Sequence, residues 1–327
     1  MYPEQDNAMA RADLLISLVR AGAQGDQVGF RRTVEAIVAE ERERQHHVVA
    51  DRLQEFLRAS ARGTEPPPPE GVGSLIHEIH PRRVLGDLVL PAQVASACAE
   101  LVEEQQRVDL LRSYGLEPRH RVLLSGPPGN GKTSLAEALA GELAVPLLVV
   151  RYDAVIASFL GETAARLARM FDYVRTRRCV LFFDEFDTLG KERGDEHETG
   201  EVKRVVSSLL LNIDALPSHV VAVTATNHPE LLDRAVWRRF QLRLALPPPN
   251  ADDIGRWIAR FEQTQDMSLR GQKKAIASAL AGHSFAEVEE FFLDLQRRVV
   301  LDGPGDNLSQ IIRARLSQWR ERRRIRP

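Results

Sequence analysis

Cysteine is nearly absent: Cys98 and Cys179 are the two in 327 residues, and they lie far apart. Such a pair supports neither a disulfide framework nor a metal cluster, and both read as small buried thiols, Cys179 at the head of an apolar run. Long apolar runs are missing as well. None reaches the ~18 residues that suggest a membrane span, so no membrane partner is expected. Strong charge of either sign is also lacking. The formal net charge of −2 argues against bulk nucleic-acid binding. Lysine is scarce among the 44 basic residues, with only Lys132, Lys191, Lys203, Lys273 and Lys274. A lone lysine inside a glycine-rich loop therefore stands out. The acidic, polar stretch before Leu14 does not read as a secretory leader, and a cytoplasmic location is the expectation. What remains is an ordinary globular composition, 43% hydrophobic and 28% charged. The length suits two or three domains at ~150 residues each.

Residues 8–62 have helical periodicity. Leu14, Leu15, Leu18 and Val19 mark one apolar face; Phe30, Val34, Ile37 and Val38 mark a second; Val49, Leu53, Phe56 and Leu57 mark a third. A partner-binding helical bundle over 1–62 is the expectation. "GTEPPPPEGVG" ends this pattern, because consecutive prolines donate no hydrogen bonds and favour an extended chain. It predicts a semi-rigid linker over 63–76. His77 and His80 in "HEIH" lack the spacing of a zinc-protease helix and a nearby third ligand, so they are not read as a metal pair.

From residue 120 the chain alternates. "RVLLSG", "LLVVRY", "CVLFFDE", "VVAVTATN" and "LRLALP" are five strand candidates, and the segments between the first four are long enough for helices. Near-continuous apolar strands covered by helices predict a doubly wound parallel five-stranded sheet, an α/β fold, over 77–247. "PPPN" closes that unit. Apolar periodicity resumes at Ile254, Trp257, Ile258 and Phe261, then at Phe285, Val288, Phe292 and Leu295, predicting a helical lid over 248–327.

The chemistry is concentrated at strand ends. "GPPGNGKT" follows the first predicted strand and opens an amphipathic helix, the context that gives a P-loop its function. Its residues Gly126, Pro127, Pro128, Gly129, Asn130, Gly131, Lys132 and Thr133, with Ser134 beyond them, are assigned to a nucleotide. Glycines allow backbone N–H groups to wrap phosphates, and the helix N-terminus contributes partial positive charge. Lys132 is expected to reach the β- and γ-phosphates, and Thr133 to hold Mg²⁺. "CVLFFDEFD" sets Asp184 and Glu185 at the end of a central strand, where open α/β sheets place ligands. Asp184 suits Mg²⁺, and Glu185 suits the attacking water. Two adjacent buried carboxylates need such a cation. Together these motifs say ATP hydrolysis. Asn227, closing "VTATN", can position the same water or sense the γ-phosphate. Arg238 and Arg239 lie side by side in "LLDRAVWRRF", and an arginine brought to phosphoryl transfer stabilises transition-state charge.

The ordered set "GPPGNGKT", "LFFDEFD" and "ATNHPELLDRAVWRRF" resembles the AAA subfamily of the AAA+ ATPases across roughly residues 80–300. The arginine segment is similar to that of the katanin and spastin group. The resemblance implies ATP and Mg²⁺ as cofactors and a homo-oligomeric, hexameric ring. It makes Asn227 the first sensor, and Arg238 and Arg239 fingers reaching a neighbouring subunit's ATP. It places Ala286, in "HSFAEVEEF", near the adenosine, and "LGDLVLP" on the adenine side. Val89 stands where the family has glycine and His228 where it has arginine. The resemblance also implies that Phe159, Leu160 and Gly161 in "SFLGET" form a pore triplet gripping extended polypeptide, with "KERGDEHETG" as a second pore loop. The implied function is a ring motor remodelling a protein partner. The alternative is an ATP-gated switch controlling a partner enzyme, for example a protease, without threading. A DNA motor is disfavoured by the near-neutral charge and by the absence of a DNA-binding motif, although the arginine-rich tail from Arg313 speaks for it.

Overall fold

The computed structural model describes residues 14, 17, 33–40, 71–151, 160–187, 199–265, 269, 271–302 and 308–325. The chain divides into two compact units, Met1–Pro67 and Pro68–Pro327. In the first unit, residues 33–40 are helical, with Val34 and Val38 buried one turn apart. The other N-terminal helical faces, and the prolines of the expected linker, lie outside the described residues.

The second unit is built on a six-stranded sheet. Its strands are β1 (Ile76–Ile79), β2 (Arg121–Ser125), β3 (Leu147–Val150), β4 (Cys179–Phe183), β5 (Val220–Thr226) and β6 (Leu242–Ala245), in the order β1-β3-β4-β5-β2-β6. The five expected strands pair in parallel. The sixth, β1, runs antiparallel to β3 with Ile76 opposite Val150 and Ile79 opposite Leu147. Five strands were expected because β1 carries no apolar run: only Ile76 of its four residues is buried. It is an edge strand, and "IHEI" supplies it. Arg177, buried after β4's preceding helix, donates from Nη1 and Nη2 to the Glu78 carboxylate at 3.2 and 3.3 Å and lies over the Tyr173 ring. Val72 and Leu75, each 1% exposed, pack into the same core just ahead of β1, although the sequence reading gave them to the linker.

The helices of this unit are α1 (Ala92–Gln106), α2 (Val108–Ser113), α3 (Lys132–Glu142), α4 (Leu160–Arg175), α5 (Thr199–Asp214) and α6 (Arg234–Trp237). Then come α7 (Ala251–Gln265), α8 (Lys273–Leu280), α9 (Phe285–Asp302) and α10 (Leu308–Ile325). All residues of β4 and β5 are buried, so the sheet is covered on both faces. Alternating residues serve opposite faces. Leu181 and Phe183 join Met170, Phe171 and Ile213 of α4 and α5, while Val180 and Phe182 join Leu101, Leu135 and Leu139 of α1 and α3.

Beyond β6, Asn250 stops the extended chain and starts α7. Its Oδ1 accepts from the Asp252 and Asp253 amides at 2.8 and 2.9 Å, and Asp253 Oδ2 accepts from the Asn250 amide at 3.0 Å. This reciprocal cap satisfies amides that the helix cannot. Helices α7–α10 close around Ile254, Ile258, Leu280, Phe291, Phe292 and Ile312, the lid core. Trp257, Phe261 and Phe292 stack within it, with ring centroids 4.7–5.3 Å apart.

Candidate active site

The loop from β2 to α3 makes a tight cradle. Gly126 has φ +148°, and a Cβ there would lie 2.2 Å from the Leu246 carbonyl oxygen. At Gly129, φ is +75° and a Cβ would come within 3.0 Å of Ser284 Oγ and Ala286 Cβ. A side chain would collide with the backbone at Gly126 and with the Ser284 and Ala286 side chains at Gly129, and both φ values suit glycine. Gly131 is the N-cap of α3, so the free amides of the helix start belong to residues that line the cavity.

Lys132, the first residue of α3, is 6% exposed. Its Nζ donates to the carbonyls of Gly126 at 2.7 Å and Pro127 at 3.0 Å, and to Asn227 Oδ1 at 2.6 Å. Burial pushes this ammonium below its ordinary pKa, against the Asp184 and Asp187 carboxylates, which raise it. Thr133 Oγ1 donates to Asp184 Oδ2 at 3.1 Å. That brings a hydroxyl from the first turn of α3 and a carboxylate from the end of β4 to one point, an oxygen set suited to Mg²⁺. The Glu185 amide donates to Asp184 Oδ1 at 2.9 Å, and Glu185 has φ +49°. A non-glycine residue in that region stores local strain and re-aims its side chain. The two carboxylates are less buried than the sequence suggested: Asp184 is half-buried and Glu185 exposed. The buried one is Asp187, which the sequence reading passed over.

A cavity of about 500 Å³ joins these groups, within the range of small-molecule sites. The nucleotide residues 128–134, Asp184, Glu185, Asn227 and Ala286 line it, whereas Gly126 and Pro127 do not line it but offer their carbonyls to Lys132. Asp87, Leu88, Val89 and Leu90 form a further wall. The lid closes the cavity: the Ala286 amide donates to Gly129 O at 3.0 Å, and the Phe285 amide to Asn130 Oδ1 at 3.3 Å. Arg256 donates to Leu90 O at 3.3 Å and Arg260 pairs with Asp87 at 3.4 Å. Four lining residues were missed: Arg83, Trp257, Phe285 and Glu289. Arg83 donates to Ser134 Oγ at 2.6 Å, yet its segment carries no motif. Apolar spacing marked Trp257 only as lid core.

Arg238 and Arg239 do not line this cavity. Arg238 is exposed, and Arg239 pairs with Asp214, which also holds Arg121 at 2.8 Å. Phe159 lies outside the described residues. Leu160 and Gly161 open α4, and most of "KERGDEHETG" also lies outside. His228 donates its amide to Thr226 Oγ1 at 3.0 Å and pairs with Glu230.

The family model of the "ATPase family associated with various cellular activities (AAA)" matches residues 122–248. An uncharacterized AAA family ATPase of Sinorhizobium fredii, y4kL, is 36% identical over 303 residues, 90% of this chain and 91% of that one. The chain belongs to the AAA family of ATPases. This AAA ATPase is also similar to a putative 26S proteasome regulatory subunit homolog of Methanothermobacter marburgensis, 29% identical over 65% of this chain and 58% of that protein. The ATP-dependent zinc metalloprotease FtsH 1 of Methylacidiphilum infernorum is 33% identical over 60% of this chain and spans far more, since the match covers 33% of it. The protein therefore binds and hydrolyses ATP. Among the described residues no helix is long and apolar enough to cross a membrane.

Proposed function

We propose that this AAA ATPase works as a homo-oligomeric, hexameric ring in the cytoplasm and remodels a protein partner, with an arginine segment of the katanin and spastin kind. The observation that carries the ring is the composition of the site. Lys132, Asp184, Glu185 and Asn227 converge, while Arg238 and Arg239 stay out of the cavity. A neighbouring copy supplying the arginine completes the set. The names of the relatives, a proteasome regulatory subunit homolog and a metalloprotease, support a polypeptide as the partner.

Thr133 and Asp184 are the residues that would hold Mg²⁺. When bound, it would neutralise charge on the terminal phosphates. Lys132 and the residue 128–134 amides hold the phosphates, Glu185 orients and polarises the attacking water, and Asn227 meets the terminal phosphate. Leu88, Val89 and Ala286 lie beside the adenosine. Phe159, Leu160 and Gly161 grip the polypeptide.

Mixing an Arg238→Ala, Arg239→Ala double variant with a Glu185→Gln variant tests the shared site. The first keeps Lys132, Asp184 and Glu185, and the second keeps the arginines. Mixed rings should recover turnover that neither variant has alone. Two inactive proteins that stay inactive when mixed, despite co-assembly, would refute the shared site.

A further inference from the structure

Asp187 is 2% exposed, a buried carboxylate in the turn after β4. Its Oδ1 accepts from Thr226 Oγ1 at 3.0 Å and from the Asn227 amide at 3.2 Å. Both donors belong to the tip of β5, and Thr226 is fully buried. The neighbouring Phe186 amide donates to Ala225 O at 2.8 Å, so the same turn is tied to β5 by main chain as well. On the far side of Asn227, Lys132 Nζ donates to its Oδ1. An ammonium has no acceptor, so the amide must turn its oxygen to Lys132. Its NH₂ group is then the part left for the cavity that Asn227 lines.

We infer that Asp187 is a positioning residue for ATP hydrolysis: it clamps Thr226 and the Asn227 main chain so that the Asn227 amide keeps its oxygen on Lys132 and presents its NH₂ group to the terminal phosphate. This rests on the reading above that Asn227 meets that phosphate. The register of the clamp explains why a charge is buried here. One carboxylate oxygen serves a hydroxyl and an amide from consecutive residues, fixing side chain and main chain of the strand tip together. A donor fixed before the reaction needs no reorganisation as charge develops, and removal of one such donor lowers turnover by ~10²–10³ in other enzymes.

The test uses the full chain and four variants: Asp187→Ala, Asp187→Asn, Asn227→Ala and the Asp187→Ala, Asn227→Ala double. Turnover, ADP affinity and melting temperature are measured on each. Asp187→Ala should lower kcat by about tenfold or more while ADP affinity stays within about twofold, because ADP lacks the phosphate concerned. Asp187→Asn keeps the accepting oxygen and should restore much of the rate. The double variant should be no slower than the slower single, the signature of two residues acting as one unit. Where Asp187→Ala fails to fold, Thr226→Val removes the hydroxyl that donates to Asp187 and accepts from the His228 amide, and should lower kcat with the same sparing of ADP. Unchanged kcat in Asp187→Ala, loss of ADP affinity and melting temperature in step with kcat, or multiplicative losses in the double would each overturn the clamp. Normal turnover in Asn227→Ala would instead overturn the underlying reading of Asn227.

Discussion

Lys132 and Glu185 lie in one cavity but differ in exposure, and their variants should fail differently. Lys132 is held by two loop carbonyls and Asn227, so its charge is committed to the phosphate cradle. Lys132→Ala should lose ATP binding. Glu185→Gln keeps shape and hydrogen-bonding capacity but loses the base, so it should bind ATP normally and turn over ~10²-fold or more slowly. Equal affinity and turnover in Lys132→Ala and the unaltered protein would refute the cradle. These residues were legible because each belongs to a contiguous motif. Asp187 stood in the same quoted stretch and was not legible, because its partners Thr226 and Asn227 meet it only through the register of β4 and β5. The cysteines were read correctly as buried. Burial pushes both the Cys98 and Cys179 thiols up to about 12. Neither should react with a thiol reagent at pH 8 in the native protein, and both should react on denaturation. Prompt native labelling would show that one of them is reached by solvent.

Helix α3 does more than start at the phosphates. At Gly141 a Cβ would lie 2.1 Å from the Arg83 carbonyl oxygen, so the chain before the cavity wall crosses α3 at backbone contact. Glu137 and Glu142 fix the crossing by accepting from the Arg82 and Leu85 amides at 3.1 and 3.0 Å. Helix propensity alone predicts that Gly141→Ala stabilises α3 by about 1 kcal/mol. The crossing predicts the reverse: a net loss of about 1–3 kcal/mol by thermal melting, with weaker nucleotide binding as the 83–90 wall shifts. A higher melting temperature with unchanged nucleotide affinity would show that the segment yields freely. This close approach was invisible in the sequence, where Gly141 is one residue of an amphipathic helix. β1 was invisible for a related reason. The other strands are legible because both faces are buried, and "IHEI" buries one residue and lies at an edge. The lid helices were legible from period alone; their grip on the cavity through Arg256, Arg260 and Ala286 depends on tertiary placement.

For the whole molecule, the decisive separation lies between gripping and gating. The sheet places Arg238 and Arg239 away from their own cavity, so specific activity should rise with protein concentration as copies assemble. Full turnover by a monomer at any dilution would refute that. The proposed grip rests on Phe159, because an aromatic can hold polypeptide by apolar contact without reading its sequence. If Phe159 grips, Phe159→Ala should keep its melting temperature, its assembly and its ATPase without polypeptide. It should lose stimulation by a permanently unfolded polypeptide. If Phe159 is packed in a core, the same change should cost ~3–5 kcal/mol and depress the melting temperature strongly. A stable Phe159→Ala ring still stimulated by polypeptide would favour the switch, because then nucleotide state would reach the partner without passage through a pore.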